Sequence, residues 1–292
     1  MRRSPGFLLL ALSLGCATAP SRPTAPEGPI KAVSLTVTEQ TLTGFTVTLD
    51  LAITNRSASS WTLQAADTEL WVDGILSASN HGQLSQVIPA GGTLELKLPA
   101  SAEPVKDEAS LRSWTSRGDR PVPLVLKGAI QLAGGNGIQD LPFSHAGELR
   151  APRLPVPKMD DAEVARYDSG EIGVSFFLGV ENQNPFPIHL RSITYHATLA
   201  GQLIAEGFAS SGDKVPASQT AEYEIDARLD KEHGGELSKL ADEGKLTYRL
   251  DGEIDLGLTH VPIELSGPLT LGKKGTHHAT PSAPAAPPPG AE

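Results

Sequence analysis

The chain repeats itself at one fixed spacing. Asn55 and Asn182, Leu63 and Leu190, Gly74 and Gly201, and the pairs Pro89-Ala90 and Pro216-Ala217 each stand 127 residues apart in a chain of 292. Between these points the apolar alternation matches without a gap. Solenoid and propeller repeats run at about 20–50 residues, so a period this long is a whole folded domain duplicated. Each copy would hold about 120 residues, enough to bury a core of its own.

Both copies read as strands. In the first, Val33, Leu35 and Val37 fall on one face at period two, as a half-buried strand requires. After Gly44, the residues Phe45, Val47, Leu49, Leu51 and Ile53 alternate with smaller and polar ones up to Asn55. In the second, Ile172, Val174, Phe176, Leu178 and Val180 run to Asn182. Later, Leu124, Leu126, Gly128, Ile130 and Leu132 answer to Leu246, Tyr248, Leu250, Gly252, Ile254 and Leu256, whose opposite face is strictly polar. One apolar and one polar face describe a sheet with one side in water. Final strands are expected over Leu141–Leu149 and Val261–Leu269. One short helix per copy is expected, within Lys106–Ser116 and within Gly235–Asp242, where Leu111 with Trp114, and Leu237 with Leu240 and Ala241, share a face. Short strands, regular turns and one helix per copy predict an all-β chain of two tandem antiparallel β-sandwiches.

The ends carry an address. Arg2 and Arg3 precede an apolar run from Phe7 to Leu14 that is too short to cross a bilayer, so residues 1–15 read as a signal peptide. Leu12-Ser13-Leu14-Gly15-Cys16 resembles a bacterial lipobox, with Cys16 as the lipid-attachment residue. Ala17 behind it resembles the sorting signal for the outer membrane. The expected location is the bacterial cell envelope, lipid-anchored in the outer membrane and facing the periplasm. Residues 16–30 form a Pro-rich tether with a reach of roughly 40 Å at ~3.1 Å per residue. The Pro/Ala-rich segment 273–292 has the composition of a disordered tail. The two copies are expected at 31–150 and 158–272, with Pro152, Pro155 and Pro157 breaking regular structure between them.

Cys16 is the only cysteine, so no intramolecular disulfide can form and the fold rests on its cores. Net charge is −10, and removing Arg2 and Arg3 leaves the mature chain near −12. That excludes nucleic acid as a partner and disfavours electrostatic docking on anionic lipid. The partners expected are a membrane, through the N-terminal lipid, and lipid or another envelope protein.

Catalytic constellations are missing from the pattern. No pair among the eight histidines has a metal-binding spacing, and His277-His278 lie in the tail. Gly134-Gly135-Asn136-Gly137 joins two strands and opens no helix, so it reads as a hairpin and not a phosphate cradle. Asp160, Asp161 and Glu163 read as solvated surface, without the loop order of a calcium site. Trp71 lies in a strand and is expected in the core; Trp61 lies in a loop, where an exposed contact role is open to it. No catalytic residue, cofactor or metal is expected. Gly74 and Gly201 are expected in hairpin turns with a φ that other residues avoid.

In the second copy, Asn182-x-Asn184-Pro185-Phe186-Pro187, then Leu190, Ile193-x-Tyr195, Gly201, Gly207 and Val215-Pro216-Ala217, resembles the WHy domain of the late-embryogenesis-abundant type 2 family. The first copy keeps Asn55, Leu63, Gly74 and Ile88-Pro89-Ala90, but has Ala58 and Ser60 in place of Pro185 and Pro187. The resemblance implies fibronectin/immunoglobulin-like seven-stranded sandwiches and a non-catalytic role in desiccation or stress protection, with lipid or apolar-ligand carriage as the alternative. Asn182, Asn184, Pro185, Pro187 and Gly201 carry that family motif. Their own chemistry reads as structural, since Asn side chains bond nearby backbone where a strand ends and Pro fixes the exit direction.

Overall fold

The computed structural model of the protein describes residues 29–135, 137–166, 172–210, 214–229 and 231–269. The first half runs β1 (Ile30–Gln40), β2 (Phe45–Thr54), β3 (Trp61–Val72), β4 (Ile75–Gln83), β5 (Val87–Ile88), β6 (Thr93–Ala102), α1 (Glu108–Thr115), β7 (Pro121–Gly134) and β8 (Gly137–Arg150). The second runs β9 (Val156–Arg166), β10 (Ile172–Glu181), β11 (Ile188–His189), β12 (Ser192–Leu199), β13 (Gln202–Ser210), β14 (Lys214–Val215), β15 (Thr220–Leu229), α2 (Lys231–Asp242), β16 (Thr247–Asp255) and β17 (His260–Pro268).

The fold is all-β, as the alternation predicts. The first half stacks a β1-β2-β6 sheet on a β4-β3-β7-β8 sheet, with β5 paired to β3. The second stacks β15-β10-β9 on β13-β12-β16-β17, with β11 and β14 forming a short ladder. All pairings are antiparallel, and the two strand orders correspond. Trp61 and Thr62 face Ile88 and Val87; 127 residues on, Ile188 and His189 face Val215 and Lys214.

Period two produces the cores. Phe45, Val47, Leu49, Leu51 and Ile53 all point inward from β2, and Ile172, Val174, Phe176, Leu178 and Val180 do so from β10. Gly128 and Gly252 interrupt this face at corresponding places. A Cβ there would lie 1.8 Å from the Asp67 carbonyl oxygen and 2.0 Å from that of Thr194, so only glycine lets the facing strand approach. Helix α1 begins with a capping box, in which Asp107 accepts from the Ser110 N–H and the Ser110 hydroxyl accepts from the Asp107 N–H. It buries Leu111 and Trp114, and Trp114 stacks on Phe45 at 6.5 Å.

Two strand expectations are corrected. Val33 does not share a face with Leu35: β1 is bulged between Ala32 and Ser34, which leaves Val33 58% exposed while Leu35 packs inward. A bulge shifts the alternation by one residue, and edge strands such as β1 are where bulges concentrate. Pro157 does not break regular structure either. It sits near the start of β9, where β9 borders its sheet and the missing N–H can face outward.

The buried apolar residues form two clusters, one drawn from Phe45 to Ala151 and one from Val164 to Leu269, and Leu42 packs against both. In the first half, one end of the sandwich holds the start of β1, the Asn55 turn and the β7–β8 hairpin, since Ile30 pairs with Ile53 and Thr62 with Ala133. The opposite end holds the β1–β2 turn, the β3–β4 hairpin and α1. That opposite end meets the second half, where the Thr259 hydroxyl donates to the Glu108 carboxylate at 3.2 Å.

Candidate functional site

Four residues of the family motif, Asn182, Asn184, Pro185 and Pro187, gather at the end of the second sandwich that receives the first, while Gly201 lies in the β12–β13 hairpin at the opposite end. Asn182 is buried where β10 ends. Its side-chain N–H₂ donates to the carbonyls of Phe186 at 2.8 Å, Val215 at 3.2 Å and Pro216 at 3.0 Å, and its oxygen accepts from the Asn184 N–H at 3.0 Å. Asn55 does the same 127 residues earlier. It donates to the carbonyls of Ser59, Ile88 and Pro89 at 2.8, 3.1 and 3.1 Å and accepts from the Ser57 N–H at 2.9 Å. One buried amide thus satisfies backbone groups of the turn after β2 or β10 and of the β5 or β14 segment beside it. Buried backbone groups need such partners, and here one side chain serves several of them at once.

Asn184 has a different task. Its side-chain oxygen accepts from the Arg153 N–H at 2.7 Å, and its N–H₂ donates to the Arg153 carbonyl at 2.8 Å. This pairs it with the connecting segment as a neighbouring strand would pair. The Arg153 guanidinium reaches Gln183 at 2.8 Å on one side and Asp119 of the first half on the other. The sequence placed Asn184 in a local turn, whereas its side chain also holds the junction between the halves. The signal was Ser57, which stands at the matching position of the first copy and is too short to make both bonds.

Pro185 and Pro187 are exposed and flank Phe186, which is 7% exposed and plugs the core. Gly201 has φ +85°, beside Ala200 at +46°, in the two-residue turn between β12 and β13; Gly74 has φ +78°, beside Asp73 at +52°. Two successive positive φ values are the type I′ pattern. Cys16, residues 1–28, the 273–292 segment and His277-His278 lie outside the described residues.

The tryptophans correct the sequence reading. Trp71 is not in the core. It lies half-buried on the outer face, with the Lys127 ammonium 4.2 Å from its ring centroid and its indole N–H donating to Glu69 at 3.0 Å. Trp61 packs against the core and lies under Gly134, where a Cβ would come within 2.8 Å of its ring.

Among the described residues no Asp, Glu, Lys, Arg or His side chain is buried. His81 bonds Asp67 through Nδ1 at 2.6 Å and faces Gln83 through Nε2 at 2.9 Å. Both ring nitrogens therefore have a partner. Asp251 is held below the usual carboxylate range by a hydrogen bond from Arg249, and burial raises the Tyr248 hydroxyl. Asp160 lies beside Lys158 at 3.2 Å. Among the described residues no group of three or more His, Cys, Asp or Glu could hold a metal ion, and no helix is long and apolar enough to cross a membrane.

Two clefts remain. One, of about 350 Å³, lies where the two sheets of the first sandwich part, between Thr68, Leu70 and Ala78 on one sheet and Pro99 and Ala100 on the other. A shallow groove of about 530 Å³ runs over Thr198, Arg249 and Ser266 in the second.

Among solved structures, similar chains include a protein from Archaeoglobus fulgidus (17% identity, 40% of this chain and 98% of that one, TM-score 0.25). Others are red sea bream transglutaminase (11%, 85% and 32%, 0.26) and an exo-chitosanase from Amycolatopsis orientalis (11%, 74% and 25%, 0.22). This chain spans a third or less of the latter two proteins, and TM-scores this low say nothing of what it does. No curated protein matches the chain. The strand and turn pattern around Asn182, Gly201 and Val215 has one clear counterpart: residues 177–267 match the model of the late embryogenesis abundant protein family.

Proposed function

We propose that this is a membrane-anchored, non-catalytic envelope lipoprotein of the stress- and desiccation-protection type, built from two copies of one late-embryogenesis-abundant domain. The observation that carries it is the family match over residues 177–267, which covers most of the second sandwich. The Asn55 network, equivalent bond for bond to that of Asn182, supports extending the domain to the first half. The polar outer faces and the −10 charge suit weak, reversible contact with membranes and proteins as water is withdrawn. Cys16 is the proposed anchor, and stable attachment follows from two or more acyl chains.

Drying and rehydrating a deletion strain tests the function. Survival and envelope integrity should fall, and should recover with the wild-type gene but not with Cys16→Ala; unchanged survival counts against the reading. A second reading is carriage of a lipid or other apolar ligand, for which the cleft of the first sandwich, lined by Thr68, Ser79, Asn80 and Ser101 as well as Leu70 and Ala78, is a mixed environment. Native mass spectrometry of the Cys16→Ala protein decides between them: a stoichiometric co-purifying lipid would replace protection with carriage.

A further inference from the structure

We infer that the free end of the first sandwich is a membrane-contact surface, which lays the protein onto the bilayer that holds its lipid. This rests on the lipid-anchor reading of Cys16. At this end Val87, Thr62, Ala133 and Ile138 stand side by side across β5, β3, β7 and β8, each pair in direct cross-strand register. Directly opposed residues of an antiparallel ladder share a face, so the four form one outward row. Its flanking members are bare: Val87 is 57% exposed and Ile138 is 63% exposed.

Charge singles out the same end. The chain carries 34 acidic residues, yet the stretches 55–60, 84–92 and 133–139 contain one charged residue, Arg56. The loops at this end carry no carboxylate, and the nearest one on the face of Ile138 is Asp140, two residues along β8, so the tip can meet a lipid headgroup layer with little repulsion. Binding there is apolar and not electrostatic, so it needs no anionic lipid.

Position selects the occupant. The chain enters β1 at Ile30, which pairs with Ile53 at this end, so a tether of about 13 residues joins the sandwich at the same end. In the second sandwich the corresponding end is covered by the first half, through Arg153 on Asn184 and Glu108 on Thr259. A second copy of the chain could not dock here in that way, because Ser57 replaces Asn184 and Gln139 stands in the β7–β8 hairpin, one residue after Ile138, where Thr259 follows Leu258. A lipid surface has no such requirement.

The test uses the full lipidated chain on phosphatidylcholine vesicles. With Cys16 acylated, a cysteine introduced by Ile138→Cys is the only free thiol and takes an environment-sensitive dye. Leu203→Cys, 55% exposed on the second half, is the control. The dye at 138 should be quenched several-fold less by aqueous iodide than the dye at 203, and should shift to the blue. Equal quenching at both positions, in protein that floats with the vesicles, overturns the membrane contact and leaves the anchor standing. Protein that fails to float overturns the anchor and the contact with it. Protection at 138 in the Cys16→Ala protein without vesicles identifies a second copy as the occupant and also overturns the proposal.

Discussion

Single amides decide how each sandwich closes. Asn55 and Asn182 are themselves buried and each donate to three carbonyls, so a change there removes both the bonds and their polar partner. Asn182→Ala should lower unfolding stability by about 2–3 kcal/mol, the cost of stranding buried carbonyls, measured by urea denaturation. Asn182→Asp should be worse near neutral pH, because a carboxylate would face three carbonyl oxygens, and should recover partly in acid. A loss within ~0.5 kcal/mol for the alanine variant would mean that water replaces the amide. The pairing of Asn55 with Asn182 was legible as a repeat, and so was its structural character. The burial of Trp61 and the exposure of Trp71 were legible too, but only by comparing the copies. Trp61 answers to Ile188, which is 1% exposed, and Trp71 answers to Thr198 on the outer face. Residue type alone says that a tryptophan in a strand is core, and here the position overrides it.

At the scale of elements, regular alternation read correctly wherever one face is wholly buried, as in β2 and β10. It failed at the borders. Bulged β1 and Pro157 in β9 both sit where a strand has a neighbour on one side only, and there the ladder tolerates what a central strand does not. The two-residue ladders β5–β3 and β11–β14 are too short to leave a period. Hairpins offer a direct check on geometry. Asp73-Gly74 and Ala200-Gly201 occupy the same type I′ turn, but alanine has no side-chain group to support a left-handed backbone. Ala200→Asn should raise stability by up to ~1 kcal/mol, because the asparagine amide can hydrogen-bond local backbone in the left-handed conformation, seen as a higher thermal midpoint. A midpoint that falls would show that this turn is not of the I′ kind.

Across the whole molecule, the groups that join the two sandwiches include carboxylates, Glu108 beside Thr259 and Asp119 beside Arg153. Glu108 is held below the usual carboxylate range, first by its hydrogen bond from Arg112, then by that residue's charge and by the Thr259 hydroxyl. A carboxylate with a lowered folded pKa contributes stability at pH above the ordinary glutamate range. That contribution is lost as pH falls through the lowered value. Most of that contribution lies within α1, through Arg112; the Thr259 part spans the junction, so the junction should weaken slightly in acid while each sandwich stays folded. Small-angle scattering should show the radius of gyration growing over that window in the wild type, and a Glu108→Gln variant should change less there. An identical acid response in the variant would assign the loosening to other groups. Asn184→Ser should loosen the junction at every pH, since serine cannot hold both the N–H and the carbonyl of Arg153.

Serine at 57 and asparagine at 184 make the two halves non-interchangeable. A duplicated domain ordinarily invites exchange, because each copy can stand in for the other during folding or recombination. Here the receiving end of one copy can grip an incoming chain and that of the other cannot. With Ser57 behind a linker, the two bonds that Asn184 makes to Arg153 would be lost. The order of the copies is thus written in part into this pair of side chains, and a rearrangement that puts the Ser57 copy second should hold its halves together less firmly.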